Sequence, residues 1–151
     1  MGVENALAFD VEDLSTLNTV DLLSKVTQSV VIQGFNFAEA LEHTLKESFK
    51  LGRHTNVFHF SSDHVTQYLW AHKDYQPWGK KLPLQCPQYG ILQPWRQVHL
   101  KNTGGYGMEC KNMDCGKLNR RECYSFQVLK PEGSSFFNVG KNGGWLKLTV
   151  D

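Results

Sequence analysis

Apolar and polar positions along the chain change their rhythm near residue 76. Before that point, apolar side chains recur at helical spacing in two places. Val20, Leu22, Leu23 and Val26 form a stripe that predicts a helix from a cap at Asn18 or Thr19 through Gln28. Phe37, Ala40, Leu41, Thr44, Leu45, Ser48 and Phe49 share one side of a second predicted helix, capped by Asn36 and stopped by Gly52 in the C′ role. Between them the β-branched run Val30-Val31-Ile32, within Ser29 to Gln33, reads as a short buried strand closed by Gly34. Thr55 to Phe60 reads as another strand, with Val57 and His59 on one face and Asn56, Phe58 and Phe60 on the other. Ser61 or Ser62 is then placed to cap a third helix with Val65, Tyr68, Leu69 and His72 along one face. Residues 1–17 show no such rhythm and are expected as a loose leader. Residues 18–75 therefore predict an α-β-α-β-α order with one right-handed, parallel crossover.

After Gln76, the residues Pro77, Gly79, Pro83, Pro87 and Pro94 interrupt any helix. Short strands are expected at Leu92 to Lys101, Tyr106 to Cys110, Cys123 to Leu129, Ser135 to Val139 and Trp145 to Val150. Asn102-Thr103-Gly104-Gly105 and Lys141-Asn142-Gly143-Gly144 suit hairpin turns, because Asn and Gly accept positive φ. The expected class is α+β: a small α/β unit over residues 1–75 and an antiparallel β unit over 76–151. A chain of 151 residues can also fuse two such units into one compact domain.

Apolar residues are 40% and charged residues 21% of the chain, which excludes disorder as a global state. No apolar run approaches the ~20 residues that span a bilayer, so no membrane segment is expected. The acidic N-terminus lacks a basic stretch followed by an apolar core, so no secretory signal is expected and the location is expected to be cytoplasmic or nuclear. Charge is unevenly spread. Residues 1–69 hold four Lys/Arg against nine Asp/Glu, and residues 70–151 hold twelve against six, giving −5 and +6. That asymmetry points to nucleic acid or an acidic protein as partner of the second half, or to mutual attraction of the halves.

All four cysteines lie between residues 86 and 123. Cys86 stands in Cys86-Pro87-Gln88-Tyr89-Gly90, Cys110 and Cys115 bracket four residues, and Cys123 follows. Over residues 84–128 this arrangement resembles the zinc-ribbon family, in which two tight thiolate-bearing turns, or knuckles, are joined by a β-hairpin. The resemblance implies a structural Zn²⁺ held by Cys86, Cys110 and Cys115. It also exposes a departure, because Tyr89 stands where the first knuckle should place its second ligand, and a phenol is a poor zinc ligand beside thiolates. Structural zinc takes four ligands, so Cys123 is the expected fourth and His99 the reserve. Two other readings stay open: a ribbon that keeps its shape without metal, and disulfides among the four thiols.

Four of the six histidines, His54, His59, His64 and His72, fall close to Asp63 and Asp74. His59, Asp63 and His64 could serve a metal-dependent phosphodiester hydrolase, although their spacing lacks the i, i+4 pair of zinc-binding helices. Lys80, Lys81, Arg96, Lys101, Lys117, Arg120 and Arg121 are interleaved with aromatics. Trp78 and Tyr89 are the candidates for stacking on bases, whereas Trp70 and Trp95 are expected to fill cores. The reading that follows is a non-catalytic, zinc-stabilised module contacting nucleic acid or another polyanion. The alternatives are the hydrolase and an assembly module that presents aromatics to another chain, and the oligomeric state is left open.

Overall fold

The leader contains a strand. The computed structural model describes residues 3–11, 14–92, 94–98, 105–115, 117 and 122–150. In it β1 (Asn5–Phe9) pairs antiparallel with β2 (Val57–Ser61), placing Leu7 opposite His59 and Phe9 opposite Val57. Leu7 and Phe9 pack against the core, so this short stretch does alternate, and its partner lies some fifty residues away.

The first helix is longer than its apolar stripe suggests. α1 spans Thr16–Val31, and the two residues expected to cap it fold back onto Ser15 instead. Asn18 Nδ2 donates to Ser15 Oγ at 3.0 Å and Thr19 Oγ1 donates to the Ser15 carbonyl at 2.9 Å. The helix also absorbs the expected strand at 29–33. Val31 and Ile32 are 74% and 76% exposed, so that run is not buried. Extending a formed helix gains one hydrogen bond per residue fixed, whereas a lone strand needs flanking partners. Gly34, at φ 75°, ends a helix rather than a strand. α2 (Phe37–Glu47) matches expectation at its start, where Asn36 Oδ1 accepts from the Glu39 N–H at 2.9 Å. A one-turn helix, α3 (Phe49–Gly52), follows.

The third helix is absent, and β3 (Val65–His72) takes its place. Buried Thr66, Tyr68 and Trp70 alternate with half-buried Val65, Gln67 and Leu69. Over so few residues the 3.6 and 2.0 periods cannot be told apart, and β-branched and aromatic content decides for the strand. β3 forms a hairpin with β2, with Val57 opposite Tyr68 and His59 opposite Thr66. The Ser61 Oγ secures the turn by donating to the His64 carbonyl at 2.9 Å. The parallel crossover is therefore replaced by an antiparallel pair.

Among the described residues, one sheet has the order β1-β2-β3-β8-β7, with β7 at Ser135–Asn138 and β8 at Gly143–Val150. The expected turn at 141–144 does join these two strands, Asn138 lying opposite Gly144. Both belong to the first sheet, so the compact units are residues 1–71 with 133–151, and residues 72–132, rather than 1–75 and 76–151. Trp145 explains the return. It is fully buried, and its indole N–H donates at 2.8 Å to the Leu45 carbonyl in the last turn of α2, which also accepts from the Ser48 N–H. Its ring meets Trp70 edge-on at 5.4 Å. Leu22, Val26, Leu41, Leu45, Leu51, Val57 and Tyr68 complete this core.

The smaller unit carries a second sheet of order β4-β5-β6, comprising β4 (Trp95–Val98), β5 (Tyr106–Cys110) and β6 (Ser125–Val128). All pairings are antiparallel, with Trp95 opposite Cys110 and Met108 opposite Phe126. The α+β class is thus as expected. No described helix is long and apolar enough to cross a membrane.

Gly52 is present for space rather than for a left-handed cap, since its φ is not positive. A Cβ there would land on the Trp70 ring and lie 3.0 Å from Trp145 Cζ2. Gly52→Ala should lower the unfolding free energy by about 2 kcal/mol in urea denaturation, the usual cost of overpacking. An unchanged midpoint would show that the tryptophans yield freely.

Candidate metal centre

Two loops bring three sulfurs to one place. Gln85 and Leu92 form an isolated antiparallel bridge, and the chain between them makes a tight turn. Within it the Cys86 N–H donates to the Ile91 carbonyl at 3.0 Å, and the Gly90 N–H donates to the Cys86 carbonyl at 2.7 Å. Gly90, at φ 71°, permits that closure. The turn aims the N–H groups of Gln88 and Tyr89 at Cys86 Sγ. The second loop leaves β5 at Cys110. Asn112 shapes it, its Oδ1 accepting from the Asp114 N–H at 2.8 Å and its carbonyl from the Cys115 N–H at 3.0 Å. The Asn112 N–H points at Cys110 Sγ, and the Tyr124 N–H donates to Cys115 Sγ at 3.4 Å.

Cys86, Cys110 and Cys115 are all buried, and their sulfurs lie within 4.8 Å of one another. Cys86 and Cys115 Sγ are 3.5 Å apart, and Gln88 Oε1 is 3.5 Å from Cys115 Sγ. Thiolates about 2.3 Å from a tetrahedral ion are separated by about 3.8 Å, so the cluster has dimensions suited to holding a metal ion. It is the sole group of its kind among the described residues. A sulfur–sulfur bond would need a separation of about 2 Å, and the three sulfurs share one point rather than forming pairs. Met108, Val128 and Trp95 pack round the sulfurs, and the Trp95 indole N–H donates to the Pro83 carbonyl at 2.6 Å.

Burial opposes ionisation at this point, and the backbone offsets it unequally. For Cys86 burial raises the pKa, but the N–H groups of Gln88 and Tyr89 and the neighbouring thiols outweigh it, and the balance falls below the ordinary thiol value. Burial pushes Cys110 up to about 11 despite the Asn112 N–H, with the other two sulfurs adding to the rise. Burial and the neighbouring sulfurs thus oppose the charged form of Cys110. A bound divalent ion would remove that conflict.

The other expected site residues are dispersed. Cys123 is half-buried and packs against the same cluster, but is not within the 4.8 Å group. His99, Lys101, Arg120 and Arg121 lie outside the described residues. Tyr89 is half-buried and packs against the cluster that contains the three cysteines. Lys80 and Lys81 are exposed. Arg96 holds Glu109 through contacts of 2.9 and 3.1 Å, and Lys117 holds Asp114 at 3.0 Å. Trp78, with the unusual φ of 50°, stacks on Tyr106 at 5.1 Å beneath Lys130 Nζ at 5.7 Å. Trp70 and Trp95 are buried in their respective cores as expected.

His59, Asp63 and His64 form no metal-sized group. His59 is buried, 2.8 Å from Asn5 Oδ1 and 4.9 Å from the Phe37 ring, while His64 sits in the β2–β3 turn with Ser61. Sequence reasoning missed the N–H donors of Asn112 and Tyr124, and Lys130. An Asn two residues after a cysteine and two before Asp114 was the available signal for the first of these.

Comparison with protein-family models, with curated proteins and with solved structures gave no match to this chain.

Two outcomes follow from this geometry. Protein purified without chelator should carry about one thiophilic metal ion per chain, and Cys110→Ser should lose it, with thermal unfolding at least about 5 °C lower, the equivalent of about 1 kcal/mol in a small unit. Full metal content in Cys110→Ser would contradict the cluster's role. Separately, burial, then the charges of His64 and Lys147, lower the His59 pKa from 6.5. The fold favours neutral His59, so its contribution is present above pH 6.5 and declines as pH falls below that value. Denaturation between pH 7 and 5 should show that slope, and His59→Gln should flatten it. An equal slope in the variant would assign the effect elsewhere.

Proposed function

We propose that residues 72–132 form a zinc-stabilised, ribbon-like binding module without catalytic activity, and that it contacts nucleic acid. The observation that carries the first half is the meeting of Cys86, before β4, with Cys110 and Cys115, at and after the end of β5, beside the Trp95–Cys110 end of the hairpin. Zinc suits the donors, because it accepts thiolates in a compact tetrahedral shell and has no redox chemistry of its own. N–H groups directed at the sulfurs support the same assignment, since they stabilise thiolate over thiol. Three reduced cysteines around an ion also fit a reducing compartment, cytoplasmic or nuclear.

Charge supports the second half. Residues 72–132 hold ten Lys/Arg against five Asp/Glu, net +5, whereas the other unit holds six against ten, net −4. The excess is therefore concentrated in the thiol-bearing unit. Arg96 and Lys117 are engaged with carboxylates, which leaves exposed Lys73, Lys80, Lys81 and Lys111 as the better phosphate contacts among the described residues. The stacked Trp78 and Tyr106 rings serve the unit's own packing, so affinity should come from charge more than from base stacking.

A fluorescence titration with short single-stranded DNA and RNA tests this. Binding should be measurable at ~50 mM salt and fall by at least tenfold by ~200 mM, as counterion release requires. No binding at ~50 mM salt would remove the nucleic-acid half and leave an acidic protein surface as the polyanion to test.

A further inference from the structure

We propose that Cys123 is the fourth ligand of this centre, recruited by a side-chain rotation when the ion binds. The proposal rests on reading the three-sulfur cluster as a metal site. Its basis is how the chain next to Cys123 is fixed. Tyr124 is tied to both cysteines of the second loop: its N–H donates to Cys115 Sγ at 3.4 Å and its carbonyl accepts from the Cys110 N–H at 3.0 Å. The preceding residue is thereby held at the edge of the cluster. Standard bond lengths place the Cys123 Cβ within about 4 Å of the Tyr124 nitrogen. Cysteine has one side-chain torsion, and changing its rotamer moves the sulfur by about 3 Å. Cys123 is a free thiol, half-buried, and already packs against the cluster.

Two other groups compete for the fourth corner. Gln88 Oε1 lies 3.5 Å from Cys115 Sγ, and Tyr89 packs against the cluster that contains the three cysteines. Chemistry separates them from Cys123. An ion already held by three thiolates gains more from a fourth thiolate than from an amide or phenol oxygen, and a structural zinc shell is closed at four. The contact from Gln88 is also a long one, at the limit of a hydrogen bond to sulfur. Four thiolates on one Zn²⁺ carry a net charge of −2. N–H donors from Gln88, Tyr89, Asn112 and Tyr124 spread that charge over the backbone, and the basic excess of the unit offsets it further. On ligation Cys123 releases its thiol proton to solvent, and nothing is oxidised or reduced.

Cobalt substitution reads the ligand count directly, because each thiolate adds sulfur-to-metal charge transfer in the near ultraviolet. Reduced, metal-free full-length protein is titrated with Co²⁺ alone, then with Zn²⁺ against a chromophoric chelator. Cys123→Ser should lose about a quarter of the charge-transfer intensity, one thiolate in four, and should bind Zn²⁺ at least roughly tenfold more weakly, the least effect seen for groups that only support a ligand. Intensity and affinity equal to wild type in Cys123→Ser would overturn the proposal while leaving the three-thiol site standing. Weaker Zn²⁺ binding in Gln88→Ala with its charge-transfer intensity unchanged, and no loss of either in Cys123→Ser, would give the corner to the amide oxygen. No Co²⁺ uptake by the unmutated protein, or no effect of Cys110→Ser, would overturn the metal site as a whole. Alkylation of the unmutated protein keeps the test independent of variant folding. Zn²⁺ should protect all four cysteines from a maleimide, and Cys123 reacting as fast with Zn²⁺ as without it would count against ligation.

Discussion

Three buried sulfurs must share one small volume in residues 72–132, and the rest of that unit is arranged round this constraint. Its sheet is made of strands of four and five residues, and the cysteines themselves are half of its buried core, with Trp95, Met108 and Val128. A sheet this short has little aliphatic mass with which to offset the entropy of ordering its loops. Closely placed thiols add little unless they ionise, and burial resists ionisation. A cation at their centre resolves both problems together. It would stabilise the charged form of the ligands and tie the turn at 86–90 to the loop at 110–115, which meet beside the Trp95–Cys110 end of the hairpin. Backbone N–H groups aimed at the sulfurs then fix the orientation of each.

The larger unit needs no such device. Three helices and five strands bury leucines, valines and the Trp70–Trp145 pair, and the single polar group of Trp145 is satisfied by a helix-end carbonyl. Its charge is net negative, whereas the thiol-bearing unit is net positive. The net positive charge of the thiol-bearing β unit is what makes it the proposed region of polyanion contact. Buried His59 is in no metal-sized group among the described residues and belongs to packing in the larger unit.

What the sequence revealed depended on how local the determining contacts were. The Asn36 cap, the hairpin at 141–144 and strand β5 rest on neighbours within a few residues, and each was legible. The meeting of Cys86 with Cys110 and Cys115 is long-range, yet spacing and the Pro and Gly around Cys86 signalled it because a tight thiolate turn has strict local requirements. Strand β1 was missed because its partner β2 is distant and the five residues of Asn5–Phe9 offer little pattern alone. Val65–His72 was misread because a short apolar run fits two periods. The return of β7 and β8 to the first sheet was invisible, since nothing local to Trp145 announces the cavity between Leu45 and Trp70 that it fills. Gly52 was assigned the right residue type for the wrong reason: space beneath two indole rings, not a left-handed turn.

The central claim is that sulfurs distant in sequence share one zinc ion. X-ray absorption at the zinc edge, on protein loaded with one equivalent of zinc under reducing conditions, measures this without mutation. The account predicts a first shell dominated by sulfur at about 2.3 Å. A shell of nitrogen and oxygen alone at about 2.0 Å, or zinc that washes away from folded protein, would contradict it.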